Sequence, residues 1–158
     1  MGNLIYLTLE GKNQGLISSS CGTKESIGNK YQLGRENQIF IYSVQHLFTK
    51  DLNAQHHPVV FTKPVDRSSP LLAQSIMENE TLKAKFDFYR TAEQGGIERY
   101  YSISLTGASI ISLKIDYPHS LTGDRLFPQE VIALNYQTID IEHLLSATST
   151  TGYWLQNI

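Results

Sequence analysis

Three histidines, His46, His56 and His57, fall within twelve residues of one another, and clustered imidazoles invite a metal-binding reading. A zinc site needs three or four ligands converging from defined spacings, and adjacent histidines rarely both reach one ion. His119 and His143 have no cysteine near them, and the one cysteine, Cys21, stands far upstream. Solvated loop histidines are therefore the preferred account. The competing one is a small metal-dependent barrel enzyme built from His46, His56, His57 and Glu130. Asp140 and Glu142 sit two apart, so on a strand they would share a face, as the paired carboxylates of a glycosidase must. They flank Ile139 and Ile141, however, and read as the polar side of an amphipathic strand. Cys21 has no histidine that spacing alone places beside it. GNKYQLG and EQGG lack the spacing and following helix of a phosphate-binding loop, and Asn79-Glu80-Thr81 is only a formal glycosylation sequon. No segment joins a nucleophile, a base and an orienting group. Nothing in these residues points to an enzyme, and no catalytic, metal or cofactor-binding residues and no cofactor are expected.

Size and charge narrow the class. A chain of 158 residues suits one domain over 1–158 with a proper core. Thirteen Lys and Arg against fifteen Asp and Glu leave a net charge of −2, without the basic stripe of a nucleic-acid binder. One cysteine cannot make an internal disulfide, so folding in a reducing cytosol is the simplest expectation. MGNLIYLTLEGK has neither the basic start nor the apolar core of a secretory signal. Tyr6 stands where a myristoylation signal wants Ser or Thr. No apolar run approaches the roughly 20 residues of a membrane-spanning helix, so no membrane insertion is expected.

The elements that would position any site are mostly strands. Ile5, Leu7 and Leu9 alternate with Tyr6, Thr8 and Glu10, a period-two pattern. IFIYSVQHLF is rich in β-branched and aromatic residues. TKDLNAQHHP, residues 49–58, reads as an exposed polar loop, and Pro64 argues against Val59–Thr62 being a central strand. RSSPLLAQSIMENE is the exception. Ser69 is a good N-cap, Pro70 suits the first helical position, and Leu72, Ala73, Ile76 and Met77 make one apolar stripe. The spacing predicts a helix over about 69–79, ended by Asn79. LKAKFDFY alternates cleanly, with Lys83, Lys85 and Asp87 on its polar side. In ERYYSISLTGASIISLKIDY, Ile103, Leu105, Ile111, Leu113, Ile115 and Tyr117 share a phase, and Gly107 suggests a bulge. EVIALNYQTIDIEH reads as one strand whose phase slips after Tyr136, implying a bulge or a passage between two sheets. The closing TGYWLQNI would expose Trp154 and Leu155 at a cost, so both are expected to pack on the barrel or on a neighbour. Seven or eight strands and one helix predict a mainly β fold, a β-barrel or rolled sandwich that the helix closes at an end or a flank.

Two stretches, EGKNQGLISSSCGTKESIGNKYQLGREN (10–37) and FTKPVDRSSPLLAQSIMENETLKAKFDFYR (61–90), resemble the Hcp family, the haemolysin-coregulated proteins of bacterial type VI secretion. The order of EGK and QG, the IGN turn, K-x-x-D-x-S-S-P-L-L and the Tyr-Arg pair carries the likeness. ERYYSISLTGASIISLKI and EVIALNYQTIDIEH continue it, so that it covers residues 4 to about 145. The resemblance implies a β-barrel with one helix. It further implies homohexameric rings that stack into the inner tube of the secretion machine and carry effectors. Its partners would be itself and the spike, sheath and effector proteins. It would be made in the bacterial cytoplasm and secreted through that machinery without a signal peptide. The segment 46–60 looks like the family's extended loop, which puts Lys50, Asp51, Asn53, Gln55, His56 and His57 at subunit and ring contacts. Lys83, Lys85 and Asp87 are candidates for the lumen face. SSSCGTKESIGN with RYYSISL is similar to a subgroup in which the domain is fused to a C-terminal toxin, the alternative being such a carrier domain.

Overall fold

The computed structural model describes residues 3–123 and 126–154, most of them in strands. β1 (Leu4–Gly11) turns Leu7 and Leu9 into the core, and a short β2 (Gly15–Leu16) folds back on it. A single helical turn, α1 (Lys24–Ile27), then runs into a 3-10 turn at Gly28–Lys30, where no helix was expected. β3 (Ile39–Ile41) pairs with β1. One residue later β4 (Ser43–Gln45) joins the other sheet, with the Tyr42 amide donating to the Thr62 carbonyl at 2.8 Å. β5 (Phe48–Lys50) and β6 (Ala54–His56) form a separate two-stranded hairpin. The predicted polar loop is thus a hairpin turning at Asp51–Asn53. Its short strands are almost fully solvated, so no buried face left a hydrophobic period to read.

β7 (Val59–Lys63) lies between β4 and β10 (Gln129–Asn135). It is a central strand after all, because Pro64 falls just beyond its last paired residue. α2 (Ser68–Met77) follows, then β8 (Leu82–Thr91), the 20-residue β9 (Ile97–Asp116), β10, β11 (Thr138–His143) and β12 (Thr148–Tyr153). β9 is the beam shared by both sheets. Its first half pairs with β8 and β11, its second with β10. The change falls at Gly107, whose φ of +63° is one L side chains rarely adopt. Opposite it, β8 skips from Leu82↔Ala108 to Ala84↔Leu105. A second shift lies opposite Ala133 and Leu134. The first bulge shifts the phase expected along β9, so that Ala108 and Ile110 turn inward. The second leaves Ile111 exposed and restores the phase, so that Leu113 packs on the core again, while Ile115 and Tyr117 are exposed beyond it. The slip after Tyr136 is real, and it separates two strands, β10 and β11, in the two sheets. The small polar residues before Gly152 form β12, an edge strand that composition did not announce.

The core lies between the sheets and takes in Leu7, Leu9, Phe61, Phe86, Leu105, Ile132, Leu134 and Tyr136. α2 closes it by packing on β9, with Leu72 fully buried and Leu71 and Ile76 half-buried. Burying Leu72 alone contributes about 2 kcal/mol. Met77, expected in the stripe, is 78% exposed. The helix also begins earlier than the Ser69 cap predicted. The Asp66 carboxylate accepts the Ser68 N–H at 2.9 Å, and the Ser69 hydroxyl accepts the Asp66 N–H at 3.0 Å, a reciprocal cap. Asp66 is held for this by fully buried Lys63, 3.0 Å away, whose ammonium also meets Glu130 at 2.5 Å. The Ser69 hydroxyl donates to Glu130 at 2.6 Å. K-x-x-D-x-S-S-P is therefore a buried polar knot that nails the helix start to β7 and β10. Asn79, at φ 53°, ends the helix as expected.

Candidate functional site

One sheet presents a polar wall. Residues opposite each other across a ladder share a face, and the registers run Thr8↔Lys85↔Ser104↔Asp140↔Thr151 across β1, β8, β9, β11 and β12. A parallel row runs Tyr6↔Asp87↔Ser102↔Glu142↔Ser149, and Glu10 faces Lys83. Lys83 and Lys85 are exposed on the β8 side, with Asp140 and Glu142 on the β11 side. Charge alternates across the wall, from Glu10 on β1 through Lys83 and Lys85 on β8 to Glu142 and half-buried Asp140 on β11. The third expected member, Asp87, lies on the wall but is buried, its carboxylate met by the Arg99 guanidinium at 3.2 Å. Asp140 accepts the Thr151 hydroxyl, so the pair read as a possible glycosidase couple belongs to the wall's hydrogen-bonded surface.

The second feature is the β5–β6 hairpin. Lys50, Asp51, Asn53 and Gln55 are exposed on it, as is Leu52 at 88%. His56 and His57 lie lower and half-covered. At its base the fully buried Tyr136 hydroxyl lies 3.1 Å from His46 Nε2 and 2.7 Å from His56 Nδ1. Burial pushes the Tyr136 hydroxyl up to about 12 and lowers His46 below the usual imidazole value. Trp154 stacks on His56 with ring centroids 6.0 Å apart. Gly152 leaves room for that imidazole: a Cβ there would sit 3.0 Å from His56 Cε1. Trp154 thus packs on the barrel as expected, whereas Leu155 lies outside the described residues. Sequence reasoning missed this aromatic cluster because its members lie some 80 and 90 positions from Tyr136. The turn formers Asp51 and Asn53 were the one available sign of the hairpin.

The four residues of the metal-enzyme alternative are dispersed. His46 and His56 turn to Tyr136, His57 Nε2 meets the Thr49 hydroxyl at 2.8 Å, and Glu130 is locked to Lys63. Among the described residues no group of three or more His, Cys, Asp or Glu is arranged to hold a metal ion. Cys21 is buried, and burial raises its thiol to about 11, which keeps it protonated and unreactive at neutral pH. The glycine motifs do structural service. A Cβ on Gly11 would fall 2.3 Å from Glu80 Oε2. That carboxylate accepts the backbone N–H groups of Asn13 and Gln14, both at 2.7 Å, and the Gln14 side-chain amide at 2.6 Å. EGK…QG is thus the turn that wraps Glu80. A Cβ on Gly22 would fall 2.1 Å from the Arg35 carbonyl oxygen, so a side chain there would collide with backbone.

The molecule these features define is a two-sheet β-barrel with one capping helix, whose distinctive chemistry lies on a polar outer wall and a projecting hairpin. The chain belongs to the Hcp family: the family described as "Type VI secretion system effector, Hcp" matches residues 6–143. It is 34% identical to the "Major exported protein" of Pseudomonas aeruginosa, over 98% of this chain and 96% of that one. It is 40% identical to the Escherichia coli K12 protein called "Uncharacterized protein YhhZ", over 94% of this chain. The chain covers 37% of that relative's length. The solved structure titled "Secreted protein Hcp3 from Pseudomonas aeruginosa" superposes with a TM-score of 0.87 at 33% identity, covering 96% of this chain and 98% of that one.

Proposed function

We propose that the chain is a structural subunit of the type VI secretion inner tube, forming hexameric rings that stack and carry effector proteins. Family membership supports the tube role. The single observation that carries the finer reading is the polar wall. Its rows of Thr8, Lys85, Ser104, Asp140 and Thr151 run unbroken over successive strands, without a large apolar side chain among them. Such a surface lines a wet passage that cargo can cross without sticking. Lys83 and Lys85 stand exposed on this lumen face, and Asp87 lies on the same face, buried and paired with Arg99. The hairpin, with Lys50, Asp51, Leu52, Asn53 and Gln55, reaches the neighbouring subunit or ring, and spike, sheath and effectors are the partners. Export follows from the family. No described helix is long and apolar enough to cross a membrane. The carrier alternative, in which the domain belongs to a longer effector, draws on one fact: the fold makes up only part of the E. coli relative.

Native mass spectrometry of the purified chain, with negative-stain imaging of the same sample, tests the ring. A hexamer with a central hole is expected. A monomer at every concentration would overturn the tube reading while leaving the barrel intact.

A further inference from the structure

The β5–β6 hairpin shares no ladder with either large sheet, so strand pairing does not set its angle to the barrel. Side chains at its base do. His46 enters from the two-residue link between β4 and β5 and His56 from the hairpin's last residue, and both reach the one hydroxyl of Tyr136. Phe48 lies edge-on to both imidazoles, at 4.4 Å from His46 and 5.3 Å from His56. Trp154 closes the cluster, stacked on His56 and edge-on to Tyr136 at 5.1 Å. Its own amide is tied to the Gln137 carbonyl at 2.9 Å.

A hydroxyl has one proton. It donates to one imidazole nitrogen and accepts the N–H of the other ring, which suits two neutral histidines. An imidazolium carries N–H on both nitrogens, so with both rings charged the Tyr136 hydroxyl donates to neither. Two cations would then share one half-buried site. Among the described residues, the titratable groups that meet there are His46, His56 and His57 from the hairpin and its flanks and Tyr136 from the barrel. Lys50 and Asp51 stand at the hairpin tip, and Trp154 brings no charge. The charges acting on His46 are those of His56 and His57, both repulsive to its protonated form.

We propose that His46, Tyr136 and His56 form a pH-sensitive latch that fixes the hairpin against the barrel when both imidazoles are neutral and frees it when both are charged. The consequence for ring contacts rests on the tube reading, whereas the latch is a property of the single chain. Burial lowers the folded-state value of His46 below the ordinary imidazole value of 6.5. A base depressed in this way stabilises the folded arrangement fully above its unfolded value. That contribution is lost as pH falls from about 6.5 toward the folded value.

Trp154 is the sole tryptophan and lies on His56, so its emission reports the latch, because a neighbouring imidazolium quenches indole. Emission, far-UV circular dichroism and amide exchange are followed from about pH 8 to about pH 5. The wild-type chain is expected to lose emission as pH falls across this range. Over the same range hairpin amides should exchange at least about tenfold faster relative to β8 and β9 amides, with circular dichroism unchanged. His56→Gln should remove the emission step. Tyr136→Phe should speed hairpin exchange already at about pH 8. Flat wild-type emission, or hairpin exchange that changes only together with β8 and β9, overturns the latch. A chain that stays monomeric at every pH defeats the tube reading, and the latch is still decided by emission and exchange.

Discussion

Glu80 shows how one buried side chain can serve a motif written elsewhere in the chain. It sits just beyond α2, yet it gathers the turn between β1 and β2 by accepting three N–H groups from Asn13 and Gln14. Burial would raise its carboxyl, but these hydrogen bonds outweigh that and hold it below its ordinary value of 4.5. Replacing Glu80 by Ala is expected to cost about 2–3 kcal/mol, read from the urea midpoint at neutral pH. The sign of the pH dependence follows from the depressed folded value. The carboxylate contributes in full above about 4.5, and the contribution is lost as pH falls toward the folded value. Glu80→Gln should flatten that acid-side fall, and a variant that loses stability as steeply as wild type would refute the assignment.

At the scale of elements, the start of α2 is decided by Lys63, Asp66, Ser69 and Glu130, not by helix propensity. A ten-residue helix is marginal by itself, and this one is held by a charge cluster fully removed from water together with Leu72. Lys63→Met leaves two buried carboxylates without their cation. The expected loss is about 3–5 kcal/mol in guanidinium unfolding, and a loss below about 1 kcal/mol would mean that the knot is not holding the helix. Legibility at this scale was uneven. The helix showed itself through Pro70 and the leucines, but its first turn was displaced because Ser69 turned its hydroxyl to Glu130, a residue 61 positions away. β9 was legible as a strand and Gly107 as a bulge. The single phase expected through Ile111 fails because Gly107 shifts it, and the second bulge skips Ile111 and shifts it back, so that Leu113 packs on the core again.

For the whole molecule, the proposed ring separates folding from assembly. The barrel buries its core within one chain, whereas Leu52 at the hairpin tip is exposed and touches nothing that folding requires. Leu52→Asp is therefore expected to weaken ring formation about tenfold or more, a loss of ~1.4 kcal/mol or more. Thermal unfolding of the monomer should be unchanged. Dilution series by native mass spectrometry check this, and unaltered association would remove the hairpin tip from the interface. The wall of Lys83, Lys85, Asp140 and Glu142 belongs to the same scale, because in the proposed ring it would line a lumen only when copies close around it.

The sequence by itself determined the strand-rich class, the helix α2 with its Asn79 end, the Gly107 bulge and the family, since each is carried by local periodicity, backbone preference or an ordered motif. Tertiary structure alone decided that Asp87 is buried within the polar wall beside Arg99 and that the segment after Phe48 is a hairpin. It also brought His46, His56, Tyr136 and Trp154 into one cluster. These depend on which distant segments meet across the barrel. Contacts made over tens of residues leave no local period, so only the folded chain displays them.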